Sequence, residues 1–462
     1  MKHIILIIAS MLFSTLFYSQ NIGLNLFIFS IITLLLLFFH NPEKIKTKRI
    51  IIFSTTYLIA AILVFINHSS LAIFCNCVAF FTLVGSFSEA KSSIYINWIN
   101  GMYSSIAGVF HRNFETQQTK SETAVKKDID IWHRVKLIGI PIAAIFIFVL
   151  LYKNGNPIFN DYISKINFDF INIQWILFCI LGLYLFSNII IPVQVEPATS
   201  SDLQIKNQLH EEEPLNPEKL KKEQQLGTTL MALLNLLILF YIATDIAYLF
   251  SNEQSSASHF STQVHNGINA LIASIIFAII IIIYFFRGNL NFYEHNKVLK
   301  NLSYSWIALN MLLVILIEIK NYGYVTSFGL TYKRIGVFVY LLLTLCGLIT
   351  TFLKVYNIQN IWFLFRINTR VAFAFLIVFS FVNWDNTITT YNLYDAKSMD
   401  MNYLIELSDN NAITLKKYAD ANELTTNFST RIDQKHKAFM QKLLERNWQE
   451  YTLDNYKTVT NY

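Results

Sequence analysis

The residues able to do chemistry in this 462-residue chain are few, and most stand where apolar runs meet polar loops. Asp245, Glu318 and Asp385 are carboxylates at the ends of such runs, His265 lies in the polar stretch after Asp245, and Arg334 opens a later run. Histidine and carboxylates brought together could bind a metal or act as general acid and base. Ionisable groups at a membrane are candidate functional sites because burying them in lipid is costly. The plainer reading is that these five residues pair, cap helix ends and hold the chain's polar tail, and it is the favoured one. The sequence contains no His-Glu-x-x-His, no phosphate-cradling glycine loop and no Gly-x-Ser-x-Gly. His210 with Glu211, Glu212 and Glu213 reads as a solvated charge run. Cys75, Cys77, Cys179 and Cys346 all fall in apolar runs, which argues for small residues facing neighbouring helices rather than a disulfide or redox site. No cofactor and no metal are expected.

The elements that must position these residues are apolar. Charged residues make up 14% of the chain, against about 25% in soluble domains. Glycine and proline are sparse, which favours long helices, and no run alternates as a barrel strand does. The expectation is an all-α fold: a polytopic α-helical membrane bundle of about eleven spans with a small C-terminal helical domain. The net charge of +6 does not imply a nucleic-acid partner, because excess lysine and arginine mark cytoplasmic loops in a membrane protein. The first run, 4–18, has the length of a signal peptide but lacks a small-residue cleavage pattern, so it reads as a retained span.

Residues 1–194 are expected to form a membrane region of six spans, with an interfacial amphipathic helix at 92–110 carrying Tyr95, Trp98 and Tyr103 at headgroup level. Residues 195–227 read as a cytoplasmic polar linker, its first part turn-like, and 228–384 as a second membrane region of five spans. With the N-terminus in the cytoplasm, cytoplasmic segments hold 22 lysines and arginines and the opposite loops hold 5. That bias places residues 385–462 outside the cytoplasm as a helical tail, and the protein in a bacterial inner (cytoplasmic) membrane. The parity rests on the last run, 371–384, which is short unless its helix extends upstream toward Ile361. In the tail, Asp400–Leu407 reads as one helix, Asp409 or Asn410 caps a second, and Ser429 or Thr430 caps a third.

The C-terminal half resembles a bacterial multi-pass integral membrane family known only as a domain of unknown function. The stretches that carry the resemblance are 226–235, beginning Leu226-Gly227-Thr228; 260–267, ending His265-Asn266-Gly267; 324–334, ending Lys333-Arg334; 383–392, beginning Asn383-Trp384-Asp385; 403–409; and 447–454. It implies architecture from about Leu226 to Tyr462 and assigns no catalytic residue.

Three functions are open at this point. The first is a non-enzymatic envelope sensor, scaffold or partner-binding protein acting through its outer face and tail, with the lipid bilayer and an envelope protein as partners. The second is a transporter or channel for a small solute, which lacks its usual mark of midplane acids. The third is a membrane enzyme acting on lipid or an envelope precursor, for which only the five-residue cluster speaks. The balance is against an enzyme.

Overall fold

The computed structural model describes residues 2–120, 131–164, 172–211, 216–250 and 257–459. The first half of the chain forms α1 (Lys2–Phe17), α2 (Leu24–His40), α3 (Lys48–Asn67), α4 (Ser70–Ser88), α5 (Ile94–Lys120), α6 (Ile131–Gly155), α7 (Pro157–Ser164), α8 (Ile173–Ile189) and the short α9 (Ala198–Gln204). The second half forms α10 (Pro217–Phe250), α11 (Ala257–Phe285), α12 (Lys297–Phe328), α13 (Tyr332–Tyr356) and α14 (Ile361–Ser380). The tail forms α15 (Trp384–Tyr394), α16 (Met401–Glu406), α17 (Ala412–Ala421), α18 (Thr426–Glu445) and α19 (Leu453–Val459). Among the described residues the one extended pairing is an antiparallel bridge between Gln208 and Gln359. The fold is an all-α bundle of membrane type. Among the described residues six helices, α3, α4, α10, α12, α13 and α14, have the length and apolarity to cross a bilayer, and α1, α2, α8 and the Leu271–Phe285 part of α11 are shorter apolar helices.

Helix starts follow from local polar chemistry. Ser69, Asn172, Asn360, Asn383 and Asp400 each place a side-chain oxygen on a backbone N–H of the helix that follows. α14 begins at Ile361, upstream of the expected run, because Asn360 caps it there. Its 20 residues reach about 30 Å at ~1.5 Å each, enough for a hydrocarbon core. It ends at Ser380, and Asn383 restarts the chain as α15. In the tail, α18 starts at Thr426, so Thr430 stands inside it and bonds back to the Thr426 carbonyl instead of capping.

One apolar core joins α1–α5 and α8, and Phe373 of α14 is part of it. A second joins α10–α13. A third ties the start of α13 to α15–α18 through Ile335, Ile388, Leu404, Leu415 and Ile432. α14 therefore belongs by sequence to the second half and by packing to both.

α5 reverses the polarity of a soluble amphipathic helix. Asn97, Asn100, Ser104 and Ser105 are buried, while Ile99, Met102, Ile106 and Phe110 are exposed. Its polar face packs on α4, the chain 188–199 and α9. The contact with α4 is backbone to backbone: a Cβ on Gly85 would lie 1.9 Å from the Asn97 carbonyl oxygen, and one on Gly101 would lie 2.0 Å from that of Phe81.

The turns sort onto two faces. The tail bonds to the α1–α2 turn (Leu24 N–H to the Tyr451 carbonyl, 2.9 Å), the α3–α4 turn (Asn410 to the Asn67 carbonyl, 3.1 Å) and the α12–α13 turn (Asn392 to the Leu330 carbonyl, 2.9 Å). On the opposite face, cations close helix ends. Lys44 donates to the Phe87 carbonyl at 2.5 Å, Arg112 to that of Ser187 at 2.7 Å, and the buried Lys354 to that of Phe286 at 2.6 Å. Carbonyls at helix C-termini lack helical partners and carry partial negative charge, so a lysine or arginine there serves the fold.

Candidate functional site

Four of the five residues nominated from sequence fall at two places, and the side chain of the fifth, His265, is outside the described residues. Asp245 on α10 is buried and ion-paired with Lys320 of α12. Glu318, two residues earlier on α12, is half-buried, and its Oε2 has no hydrogen-bond partner among the described residues. His265 lies in α11 at a position whose side chain is outside the described residues. Arg334, in the first turn of α13, donates to the carbonyls of Phe328 (2.7 Å) and Gly329 and lies 4.1 Å over the Tyr324 ring. It closes α12, whose chain leaves through Gly329 at φ +80°.

Asp385 opens α15 and is 6% exposed. The Tyr332 hydroxyl donates to its Oδ1 at 2.7 Å and the Ser408 hydroxyl to its Oδ2. The Tyr332 N–H in turn donates to the Tyr403 hydroxyl at 3.0 Å. Arg334 and Asp385 thus stand at one junction, between the α12–α13 turn and the tail, while Asp245 and Glu318 belong to the α10–α12 pair.

Asp385 lines a cavity of about 940 Å³ where both halves meet the tail. α14 is its floor, through Ala372, Phe375, Leu376 and Phe379. Leu71 and Phe74 of α4 form one wall, and Ile335, Gly336, Val339 and Leu343 of α13 form the other. The mouth is polar, with His68, Ser69 and Ser70 on one side and Asp385, Glu406, Ser408 and Asn410 on the other. Burial, reinforced by the Arg446 guanidinium, holds His68 below the ordinary histidine range, and its Nε2 lies 2.9 Å from the Ile22 carbonyl oxygen. Lys435 of α18 lies behind the mouth, donating to the carbonyls of Ile405 (2.9 Å) and Leu407 (2.7 Å). Burial pushes it down to about 8.

On the opposite face the chain 195–209 is a docked strap. Asp202 of α9 accepts from the Ser93 N–H (2.7 Å), the Ser93 hydroxyl (2.7 Å), the Tyr95 hydroxyl (2.9 Å) and Arg366 Nη2 (3.0 Å). Arg366 Nη1 donates to Asn207 at 2.6 Å, and Asn360 donates through its backbone to the Asn207 carbonyl at 2.8 Å. Burial alone would raise the Asp202 carboxyl; the bonds from Ser93, Arg366 and Tyr95 outweigh it and hold the group below the usual carboxylate range. Sequence reasoning passed over Asp202 and Arg366. The usable signal was Arg366 itself, an arginine inside an apolar run that needs a named partner. No group of three or more metal-ligating side chains occurs among the described residues, and the four cysteines are free thiols.

Residues 4–418 match the family described as a domain of unknown function, DUF4153. The chain belongs to the DUF4153 family. The match begins at residue 4, so the first half belongs to it as fully as the second. It ends within α17, so the 447–454 stretch lies beyond the matched DUF4153 region. No curated protein and no solved structure matches this DUF4153 chain. It is a helical membrane protein of uncharacterised function.

Proposed function

We propose that this protein is a non-enzymatic envelope component of a bacterial cytoplasmic membrane, a sensor or scaffold that works through its tail-bearing face. The observation that carries this reading is the tail's role as a clamp. It bonds to turns of both halves and roofs the cavity between them, so a change in what the tail meets reaches both halves at once. Three residues of the candidate polar cluster support it too. Asp245 holds Lys320, Arg334 holds the end of α12, and Asp385 holds Tyr332 and Ser408. A protein partner would meet the tail where Leu444 (83% exposed) and Trp448 (50% exposed) stand out on its surface.

The test is a pair of reporters fused after Tyr462, one active only outside the cytoplasm and one fluorescent only inside it. Activity outside is expected; fluorescence inside would sink the reading.

A second reading, a solute path, is favoured by one observation. Asn235 Oδ1 of α10 and Asn310 Oδ1 of α12 are buried acceptors with no donor among the described residues, and Asn310 stands near the middle of its helix. Asn310→Cys in a background lacking the four native cysteines tests it. Labelling by a water-soluble maleimide would favour a path, and protection would remove it.

A further inference from the structure

The cavity between the halves has walls and a mouth of different chemistry. Its walls are apolar over the length of α4, α13 and α14 that lines it. α14 packs against both α4 and α13 and holds those walls apart. A Cβ added at Gly336 would meet nothing within 4 Å, so space reaches the α13 backbone. Phe74 lines the cavity and is 58% exposed, so this wall is continuous with the surface that faces lipid. The volume, about 940 Å³, is at the upper end of the roughly 300–1,000 Å³ typical of small-molecule pockets.

No cation bonds to the carboxylates of the mouth among the described residues. Asp385 is buried, its bound donors are the neutral hydroxyls of Tyr332 and Ser408, and it makes no ion pair among the described residues. Burying a carboxylate is costly, and the charge of Lys435, which acts on Asp385 without bonding to it, and the N-terminal end of α15 compensate only in part. A carboxylate offers about four acceptor positions, so room for further donors remains on Asp385. Glu406 adds a second carboxylate at the rim. Lys435 donates to two backbone carbonyls rather than to Asp385. The element that would complete the mouth is a cation that bonds these carboxylates with its own N–H donors and is attached to something apolar.

We propose that this cavity binds one phospholipid from the leaflet on the tail-bearing side, with an acyl chain between α4 and α13 and a primary ammonium headgroup on Asp385 and Glu406. The site goes beyond the sensor or scaffold reading and holds whichever side of the membrane the tail occupies. The full-length protein in detergent is given equal amounts of phosphatidylethanolamine, phosphatidylcholine and phosphatidylglycerol with identical chains, and retained lipid is read by native mass spectrometry.

Phosphatidylethanolamine is expected to be retained over the other two by about tenfold, the worth of a charge-assisted bond. Asp385→Asn is expected to remove that preference, and Glu406→Gln to weaken it. Gly336→Leu fills the groove and is expected to lower retention of all three. Size-exclusion chromatography and thermal unfolding confirm that each variant is folded; if Asp385→Asn is not, Glu406→Gln at the exposed rim carries the charge test. Equal retention of the three lipids, a preference for phosphatidylglycerol or phosphatidylcholine, or a preference unchanged in the folded carboxylate variants would each overturn the proposal. The reporter fusions test the orientation separately, so the two readings can fail independently.

Discussion

At the residue scale, Asp202 and Arg366 decide whether the strap stays docked. Asp202 is buried and Arg366 is largely so, with side-chain exposures of 5% and 11%. Removing one partner of a buried pair leaves the other uncompensated, so Arg366→Ala is expected to lower stability by about 3–5 kcal/mol in thermal unfolding. The same variant should open 195–209 to limited proteolysis. The pH dependence has a definite sign. The folded carboxyl of Asp202 lies below its unfolded value of about 3.9. Its contribution is therefore complete above that value and is lost as pH falls through the lower, folded one. Unfolding curves from pH 6 down to pH 2 should show this loss in the wild type, and Asp202→Asn should lack that component. An acid limb identical in both proteins would contradict the assignment.

At the scale of elements, the α4–α5 pair depends on glycine where backbone meets backbone. Gly101→Ala places a methyl group against the Phe81 carbonyl, and the neighbouring atoms are main chain that cannot swing aside. The expected cost is about 1–3 kcal/mol, as for other overpacked contacts. Gly323 in α12 is the control, since a Cβ there meets nothing within 4 Å. Gly323→Ala should be neutral or stabilise by about 0.5–1 kcal/mol through helix propensity. Melting temperatures of the two variants in one detergent decide the matter, and equal effects would refute the close-approach argument. α5 also shows where sequence pattern runs out. Its stripe of Ile99, Met102, Ile106 and Phe110 is legible at helical spacing. That Asn97, Asn100 and Ser104 face protein rather than water depends on α4 and the strap, which a one-dimensional pattern does not contain.

At the scale of the whole molecule, the tail holds the first helical hairpin. Glu450 is 8% exposed and accepts from the Asn21 N–H at 2.6 Å and from its side chain at 3.1 Å. Glu450→Ala should cost about 1–2 kcal/mol, as a lost helix cap does, and speed protease cleavage of the tail while the bundle stays intact. Glu450→Gln keeps an acceptor and should restore resistance; no rescue would mean the bond is incidental.

The helical class, the apolar runs and several tail helices were readable from composition and spacing, because burial in lipid writes itself along the chain. The candidate cluster was less readable. Asp385 and Arg334 do share a junction, but Tyr332, Ser408 and Tyr403, which organise it, are ordinary polar residues until the tail folds back. Asp245 drew attention as an acid near a span end, and its partner Lys320 lies 75 residues away on a parallel register that only packing sets.

The strap also has a consequence for biogenesis. Asp202 leaves the ribosome 164 residues before Arg366. At ~5–20 residues per second, that carboxylate waits roughly ten to thirty seconds for its counter-charge. Asn21 waits longer, since Glu450 follows it by 429 residues, on the order of one minute. The early helices are thus inserted well before the groups that complete them exist, and the finished assembly closes from its last-made parts backward. Two separately translated pieces, 1–211 and 216–462, should therefore find each other in the membrane and co-purify, and 1–194, which keeps the tail and α14 contacts but ends before Asp202, should co-purify less well.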